Sequence, residues 1–315
     1  MEDYYVIDAH CDLLYQLEQE SGDVTLKSRP QGQVDIERLK AGKVMAQIFA
    51  LYGGKPNRLL LAQASALKQI KIFYRQLKAN PELVLAVKQE DIIIARAQGQ
   101  IAAILSLEGG EPLGDDPGLL EVFYRLGVRA VGLTWNERNL LASGVSDNDS
   151  GSGLTALGCE VVKKARELNM LLDVSHLSVR SFWDLVDLSP GPIIASHSSA
   201  FALCPHPRNL TDCQAKAVAA TGGVIGVNFH PAFLCSTAPA QLSDVVHHID
   251  YFVQLLGPEH VGLGSDFDGI PVGPKGLEGP HRFPQLAHAL LERGYNAQNV
   301  RAVMGSNFLR VFPSA

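Results

Sequence analysis

Short apolar runs recur along the chain at intervals of roughly 20 to 60 residues, each followed by a segment of helical periodicity or a Gly/Pro-rich loop. In order they cover residues 6–10, 44–49, 102–108, 130–135, 171–176, 192–197, 223–229 and 261–266. Near-continuous apolar strands predict a parallel sheet covered on both faces, because a sheet with one wet face would alternate apolar and polar residues. Eight strands separated by helices predict an α/β fold, a (β/α)8 TIM barrel. An open doubly wound sheet competes with it, but no Gly-x-Gly-x-x-Gly turn supports that arrangement. Residues 58–78 place Leu59, Leu60, Ala66, Leu67, Ile70, Phe73, Tyr74 and Leu77 at near-helical spacing, and residues 241–256 do the same with Leu242, Val245, Val246, Ile249, Phe252, Val253 and Leu256. Both are expected to be amphipathic helices coating the barrel. Two loops, 136–154 and 270–284, follow strand C-terminal ends, where a barrel builds its active site. No repeat, low-complexity tract or linker divides the chain, so residues 1–315 are expected to form one catalytic domain.

Composition narrows the function classes. With 315 residues, 46% of them hydrophobic and 19% charged, the chain can bury a large core. A formal charge of -6 without a basic stripe argues against a nucleic-acid partner, which needs clustered Lys and Arg to displace counterions. The acidic start Met-Glu-Asp-Tyr-Tyr lacks the basic and apolar regions of a signal peptide, and no apolar stretch is long enough to span a bilayer. A cytoplasmic location and no membrane segment are therefore expected. Cys11, Cys159, Cys204, Cys213 and Cys235 are odd in number and scattered, which fits reduced thiols and gives no structural zinc spacing.

The chemistry is concentrated where the apolar runs end. The first ends in Asp8-Ala9-His10-Cys11-Asp12, the third in Glu108-Gly109-Gly110, the fifth in Asp173-Val174-Ser175-His176, the sixth in Ala195-Ser196-His197 and the eighth in Gly264-Ser265-Asp266. At the C-terminal rim of a barrel these side chains converge. Two histidines, a His-x-Asp pair and a glutamate offer the N and O donors that zinc accepts, and a carboxylate shared by two ions makes a two-metal site able to activate one water. Any one such histidine is an ordinary structural residue; five strand ends together are not. His247 and His248 lie on a helix away from strand ends, and His206, His260, His281 and His288 sit in loop or helix contexts, so all six are read as structural or solvated. Cys11 lies between two candidate ligands but on the opposite face of an alternating strand.

These segments, with Arg208-Asn209-Leu210, residues 223–229 and Gly264-Ser-Asp-Phe-Asp-Gly, resemble the signatures of the membrane (renal-type) dipeptidases, peptidase family M19 of the amidohydrolase-like barrels. The resemblance runs from about residue 5 to the Asn307-Phe-Leu-Arg-Val-Phe ending. It implies two Zn2+ per chain, with His10 and Asp12 on the first, Glu108 bridging, and His176 and His197 on the second. Asp266 is then the proton acceptor, which takes a proton from a shared hydroxide and passes it to the leaving amine. Asp268 is the lesser candidate and reads as a loop-capping carboxylate. Arg208 is implied to pair with the C-terminal carboxylate of a dipeptide, a task for a bidentate guanidinium. The resemblance also implies tolerance for a C-terminal D-residue and a homodimer.

The chain departs from the family at Leu133-Thr134-Trp135-Asn136, where many members carry Leu-Thr-His. The histidine that helps polarise the scissile carbonyl is missing, and loss of such a donor commonly costs a factor of ~10² to 10³ in turnover. His230 is a candidate replacement, and Trp135 a candidate wall for the substrate side chain. Besides dipeptide hydrolysis, two readings remain: hydrolysis of a cyclic amide, lactam or ester by the same metals, and a metal-retaining protein with impaired catalysis.

Overall fold

Among the described residues, nine strands form a single parallel sheet: β1 (Val6–Cys11), β2 (Val44–Tyr52), β3 (Leu83–Leu85), β4 (Ile101–Glu108), β5 (Val128–Gly132), β6 (Leu171–Asp173), β7 (Ile193–Ala195), β8 (Val224–Asn228) and β9 (Val261–Gly264). The structure, a computed structural model, describes residues 4–20, 26–54, 59–236 and 239–314, without the side chains of Leu59 and Leu60. The acidic residues 1–3 and the expected helix start at Arg58 lie outside the described residues. β1 pairs with β2 and β9, while β2 pairs with β4 from Ala46↔Ala102 to Tyr52↔Glu108. That last pairing closes β1, β2 and β4 to β9 into an eight-stranded barrel, as the apolar runs predict.

The unexpected strand is β3. It pairs with the first residues of β4, and β5 takes over the same edge from Leu105 onward. Three residues are too few to show a period in sequence.

Helices follow the strands, and the two long ones fall where their spacing predicts, at Leu59–Ala79 and Leu242–Leu256. Thr155, Ser178 and Thr211 begin the helices after β5, β6 and β7, their side chains accepting from the backbone N–H groups of Gly158, Ser181 and Gln214. Each such cap stabilises a helix start by roughly 1 kcal/mol. No helix among the described residues is long and apolar enough to cross a membrane.

Two apolar layers hold the barrel. Leu105 and Leu107 of β4, with Val131, Leu172 and Val227, pack against helix residues such as Phe73, Val162, Leu185 and Phe252. The opposite parity, Ala46, Ile48, Ala102, Ile104, Ala130 and Ile194, forms a second cluster with Phe308, Val311 and Phe312 of the C-terminal segment. Asn307 ties that segment to the lower end of β9 by donating to the carbonyls of Pro258 and Val261. Continuing the second parity up β4 leads from Ile104 through Ser106 to Glu108, so the barrel interior turns polar at its C-terminal end. Glycine in β9 has a packing reason: a Cβ on Gly264 would collide with the Ser196 carbonyl oxygen.

The observed strands differ from the expected runs at their ends. β2 continues three residues past Phe49 to Tyr52, whereas β6 and β7 stop three and two residues short of His176 and His197. Asp173 explains the early stop. Its Oδ1 accepts from Ser175 N at 3.0 Å and Ser196 N at 2.9 Å, which replaces ladder bonds and releases the chain to turn.

Candidate metal centre and active site

His10, Asp12, Glu108, His176, His197 and Asp266 come together at the C-terminal mouth of the barrel, all of them buried. Glu108 lies at the centre. Its Oε1 is 3.1 Å from His176 Nε2 and 3.9 Å from His197 Nε2, and its Oε2 is 3.6 Å from His10 Nε2. His10 Nε2 is also 3.4 Å from Asp12 Oδ2. Two overlapping groups present ligand atoms within 4.8 Å of one another, His10 with Glu108 and His197, and His10 with Asp12 and Asp266. His176 belongs to neither group, but its Nε2 is 2.8 Å from His197 Nε2.

Hydrogen bonds outside the cluster set the histidine tautomers. His176 Nδ1 is 2.8 Å from Asn136 Oδ1, an acceptor, so Nδ1 carries the proton. His197 Nδ1 is 2.7 Å from Ser196 Oγ, whose own hydroxyl donates to Asp173. Both rings therefore aim an Nε2 lone pair at the other, with Glu108 alongside. His10 Nε2 is buried without a hydrogen-bond partner among the described residues. Facing lone pairs, an orphaned imidazole nitrogen and three buried carboxylates make a donor set that fits cations, with the outer Nδ1–H bonds that metal-binding histidines make.

The backbone is bent to aim these groups. His176 (φ 70°), Asp266 (φ 64°) and Asp268 (φ 66°) all adopt left-handed conformations without being glycine. Such strain costs on the order of 1–3 kcal/mol per residue and persists only where surrounding bonds over-determine it. Here Val145 N donates to the His176 carbonyl at 2.8 Å, and Asp266 N to the His10 carbonyl at 3.1 Å.

A cavity of about 250 Å³ opens over the cluster. Arg208, Trp135 and His230 all line it. Arg208 is buried, and its Nη2 lies 3.1 Å from His176 Nε2 and donates to the His197 carbonyl at 3.2 Å, leaving Nε without a partner among the described residues. His230 stacks on Phe233 at 4.3 Å and accepts from Ala232 N through Nδ1. Its remaining Nε2 is thus a neutral N–H donor, and burial with His206 and Arg208 nearby lowers its pKa. Trp135 stands half-buried in the wall, 5.3 Å from Tyr52 and 6.0 Å from His176.

The membrane dipeptidase family, peptidase family M19, matches residues 1–315. The chain belongs to that family. It is 38% identical over 267 residues to an uncharacterized protein in the pqqA 5' region of Klebsiella pneumoniae, spanning 82% of this chain and 96% of that one. To the dipeptidase aclJ of Aspergillus oryzae it is 34% identical over 292 residues, 89% of this chain and 69% of the other. Its fold matches a metallo peptidase from Rhodobacter sphaeroides, solved with a phosphinate mimic of the dipeptide L-Ala-D-Ala, with a TM-score of 0.92 and 28% identity over 98% and 99% of the two chains. As an M19 member the protein is a peptide-bond hydrolase that depends on metal.

Asp268 holds a neighbouring loop: it accepts from Gln33 N at 2.5 Å and pairs with Arg29 Nη1 at 2.8 Å. Cys11 faces the helices, in the outer apolar cluster. His248 accepts from Ala200 N and bonds the Leu234 carbonyl, a structural role. His206 is closer to the site than its loop context implies, its ring tilted against Phe233 at 4.4 Å.

Several supporting residues carry only a faint sequence signal. Asp8 and Asp173, acids inside apolar runs, are that signal: Asp8 accepts from Ser265 N and Oγ, as Asp173 does from Ser196. Asn228 donates to Asp266 Oδ2 at 3.0 Å while its Oδ1 accepts from His230 N at 2.5 Å. Tyr15, Tyr52 and Phe233 also line the cavity, with no motif to announce them.

Electrostatics of the metal-free cluster set a proton competition. Burial, then the Asp12 carboxylate, pushes Asp266 up to about 7 and Glu108 well above the usual range. Burial would lower His10, but Glu108 and Asp12 outweigh it and raise it to about 10. His10 thus carries a proton below about 10 and Asp266 gains one below about 7, and each such proton opposes a cation. Metal affinity is therefore expected to tighten with rising pH between about 6 and 8, roughly tenfold per pH unit for each proton displaced. Chelator-competition titrations check this, and a pH-independent affinity contradicts it.

Proposed function

We propose that this M19 chain is a binuclear zinc dipeptidase, in which His10 and Asp12 hold one ion, His176 and His197 the other, and Glu108 bridges. The observation that carries the reading is the Glu108 carboxylate, whose Oε1 faces His176 and His197 while Oε2 faces His10. The nitrogen and oxygen donors favour zinc. When bound, such a pair of cations acidifies water and polarises a carbonyl.

The chain's own residues do the rest. Arg208, with Nε unpaired, receives the C-terminal carboxylate of the substrate and so orients the peptide bond over the cluster. Asn228 holds Asp266 Oδ2, which keeps the carboxylate in place to take a proton from the attacking water and return it to the departing amine nitrogen. His230 presents its Nε2–H from the Arg208 side of the cavity as a further donor to the substrate. A buried guanidinium at one side of the cavity suits a free dipeptide better than a cyclic or neutral substrate. The ligand in the Rhodobacter relative, a mimic of L-Ala-D-Ala, supports tolerance for a C-terminal D-residue.

The test is a zinc-loaded assay over L,L and L,D dipeptides and their C-terminal amides. Hydrolysis is expected, with kcat/KM about 10²-fold lower for the amides and a similar loss in Arg208→Met acting on the free acids, since each removes one buried charge-assisted pair. Turnover of no dipeptide at full metal occupancy eliminates the reading, and equal rates on amides remove the role of Arg208.

A further inference from the structure

We infer that Tyr15, Tyr52 and Trp135 form the pocket for the side chain of the substrate's N-terminal residue, and that this pocket selects large apolar and aromatic side chains. The inference rests on the proposed dipeptidase reading of the same site.

Three rings make one continuous wall. Tyr15 and Tyr52 meet edge to face at 5.1 Å, and Tyr52 and Trp135 are tilted at 5.3 Å, all lining the cavity above Glu108. The barrel order decides what this wall faces. Going around the sheet, the strands run β1, β2, β4, β5, β6, β7, β8, β9. Tyr52 ends β2 and Trp135 follows β5, so the wall flanks Glu108 of β4. Arg208 follows β7, and His230 and Phe233 follow β8, the strand diametrically opposite β4. The carboxylate-binding side and the aromatic side therefore confront each other across the cluster.

A dipeptide is short enough to bridge them, at about 3.3–3.6 Å per extended residue. With its carboxylate on Arg208 and its scissile carbonyl over Glu108, the first residue projects its side chain onto the three rings. The wall is also held in place. Asn139 Nδ2 donates to the Glu111 carboxylate at 3.0 Å and to the Leu133 carbonyl at 2.7 Å, so the backbone leading into Trp135 is held from behind. Burial and the nearby Glu108 keep the Tyr52 hydroxyl un-ionised, so the wall presents neutral rings. Neutral, preformed aromatic surfaces reward apolar and aromatic groups through burial and ring stacking, and offer glycine nothing. Trp135 thus serves selection where the family residue at this position serves the carbonyl.

The experiment measures kcat/KM of the zinc-loaded enzyme on X-L-Ala and X-D-Ala with X as Gly, Leu, Phe, Trp and Lys, alongside a Gly-X series. Leu, Phe and Trp are expected to exceed Gly by about tenfold or more in the first series, the range a hydrophobic pocket supplies. In Trp135→Ala the Phe/Gly ratio is expected to fall to within about threefold of unity, and in Trp135→Phe most of it should return. Ratios taken within one preparation cancel losses of folded or loaded enzyme, and Tyr52→Leu gives an independent variant if Trp135→Ala does not fold. A flat X-Ala series on an active enzyme overturns the inference while the dipeptidase reading stands. Lys exceeding Leu, or a Trp135→Ala effect of equal size in the Gly-X series, overturns it as well. Failure to hydrolyse any member overturns the dipeptidase reading and the inference with it.

Discussion

Replacing Glu108 by alanine is expected to remove metal and activity together. The side chain ends β4 and its two oxygens face different histidines, Oε1 toward His176 and His197 and Oε2 toward His10. Without it the remaining donors divide into a His10–Asp12 pair and a His176–His197 pair, and neither reaches the three protein ligands that zinc sites ordinarily use. Metal content should fall below one ion per chain after dialysis, read by elemental analysis, and kcat/KM by at least about 10³-fold, because metal chemistry and its water are lost at once. The fold should tolerate the change. Burial and the Asp12 carboxylate push the Glu108 carboxyl well above the usual range, so alanine removes a group that was costly to bury. Glu108→Gln, which keeps the volume and one acceptor, should lie between the two. Two ions bound at parental affinity in Glu108→Ala would falsify the bridging assignment.

Asp266→Asn separates proton transfer from metal binding. The amide has the carboxylate's shape and can still accept from Asn228 Nδ2, so the loop should keep its conformation. What disappears is a base. General-base catalysis contributes typically 10²–10⁴-fold, and a loss of that size in kcat is expected with metal content near that of the parent. The pH profile gives a second readout. A carboxylate that must be ionised to act produces an acid limb, so the residual activity of the variant should lose that limb while the parent shows it. If kcat changes by only a few-fold, the proton goes elsewhere, and Asp12, which shares a group with Asp266 and His10, becomes the candidate.

Neither result depends on a residue hidden from the sequence, since Glu108 and Asp266 both stand at ends of apolar runs. The supporting residues are a different matter. Asp8 and Asp173 are visible as acids within apolar runs, yet nothing local says that each will hold a serine from another strand. Asp8 reaches Ser265 across 257 positions of sequence, and Asp173 reaches Ser196 across 23. Arg29 and Asp268, ion-paired across 239 positions, carry no periodic signal at all. Tyr52 lay just beyond the run that marks β2, and Tyr15 sits on the short helix after β1 with no neighbour in sequence to suggest a wall.

The fold class and the approximate strand positions follow from the chain alone, because burial on both faces forces an apolar run wherever a strand passes through the barrel wall. The same rule exposes the polar residues at those ends, since a charge can lie there only where the interior opens to a site. Strand ends themselves escape that logic. Where β6 and β7 stop is set by Asp173 bonding to backbone groups of both, which is a contact between strands and not a property of either. The left-handed turns at His176 and Asp266, the tautomers of His176 and His197, and the division of the Glu108 oxygens likewise exist only once β2 has paired with β4 and the ring is closed. Closure brings together groups that are remote along the chain at distances near 3 Å, where hydrogen-bond direction and charge decide orientation. The five strand-end donors were thus legible one by one, and their arrangement about Glu108 was decided by the barrel.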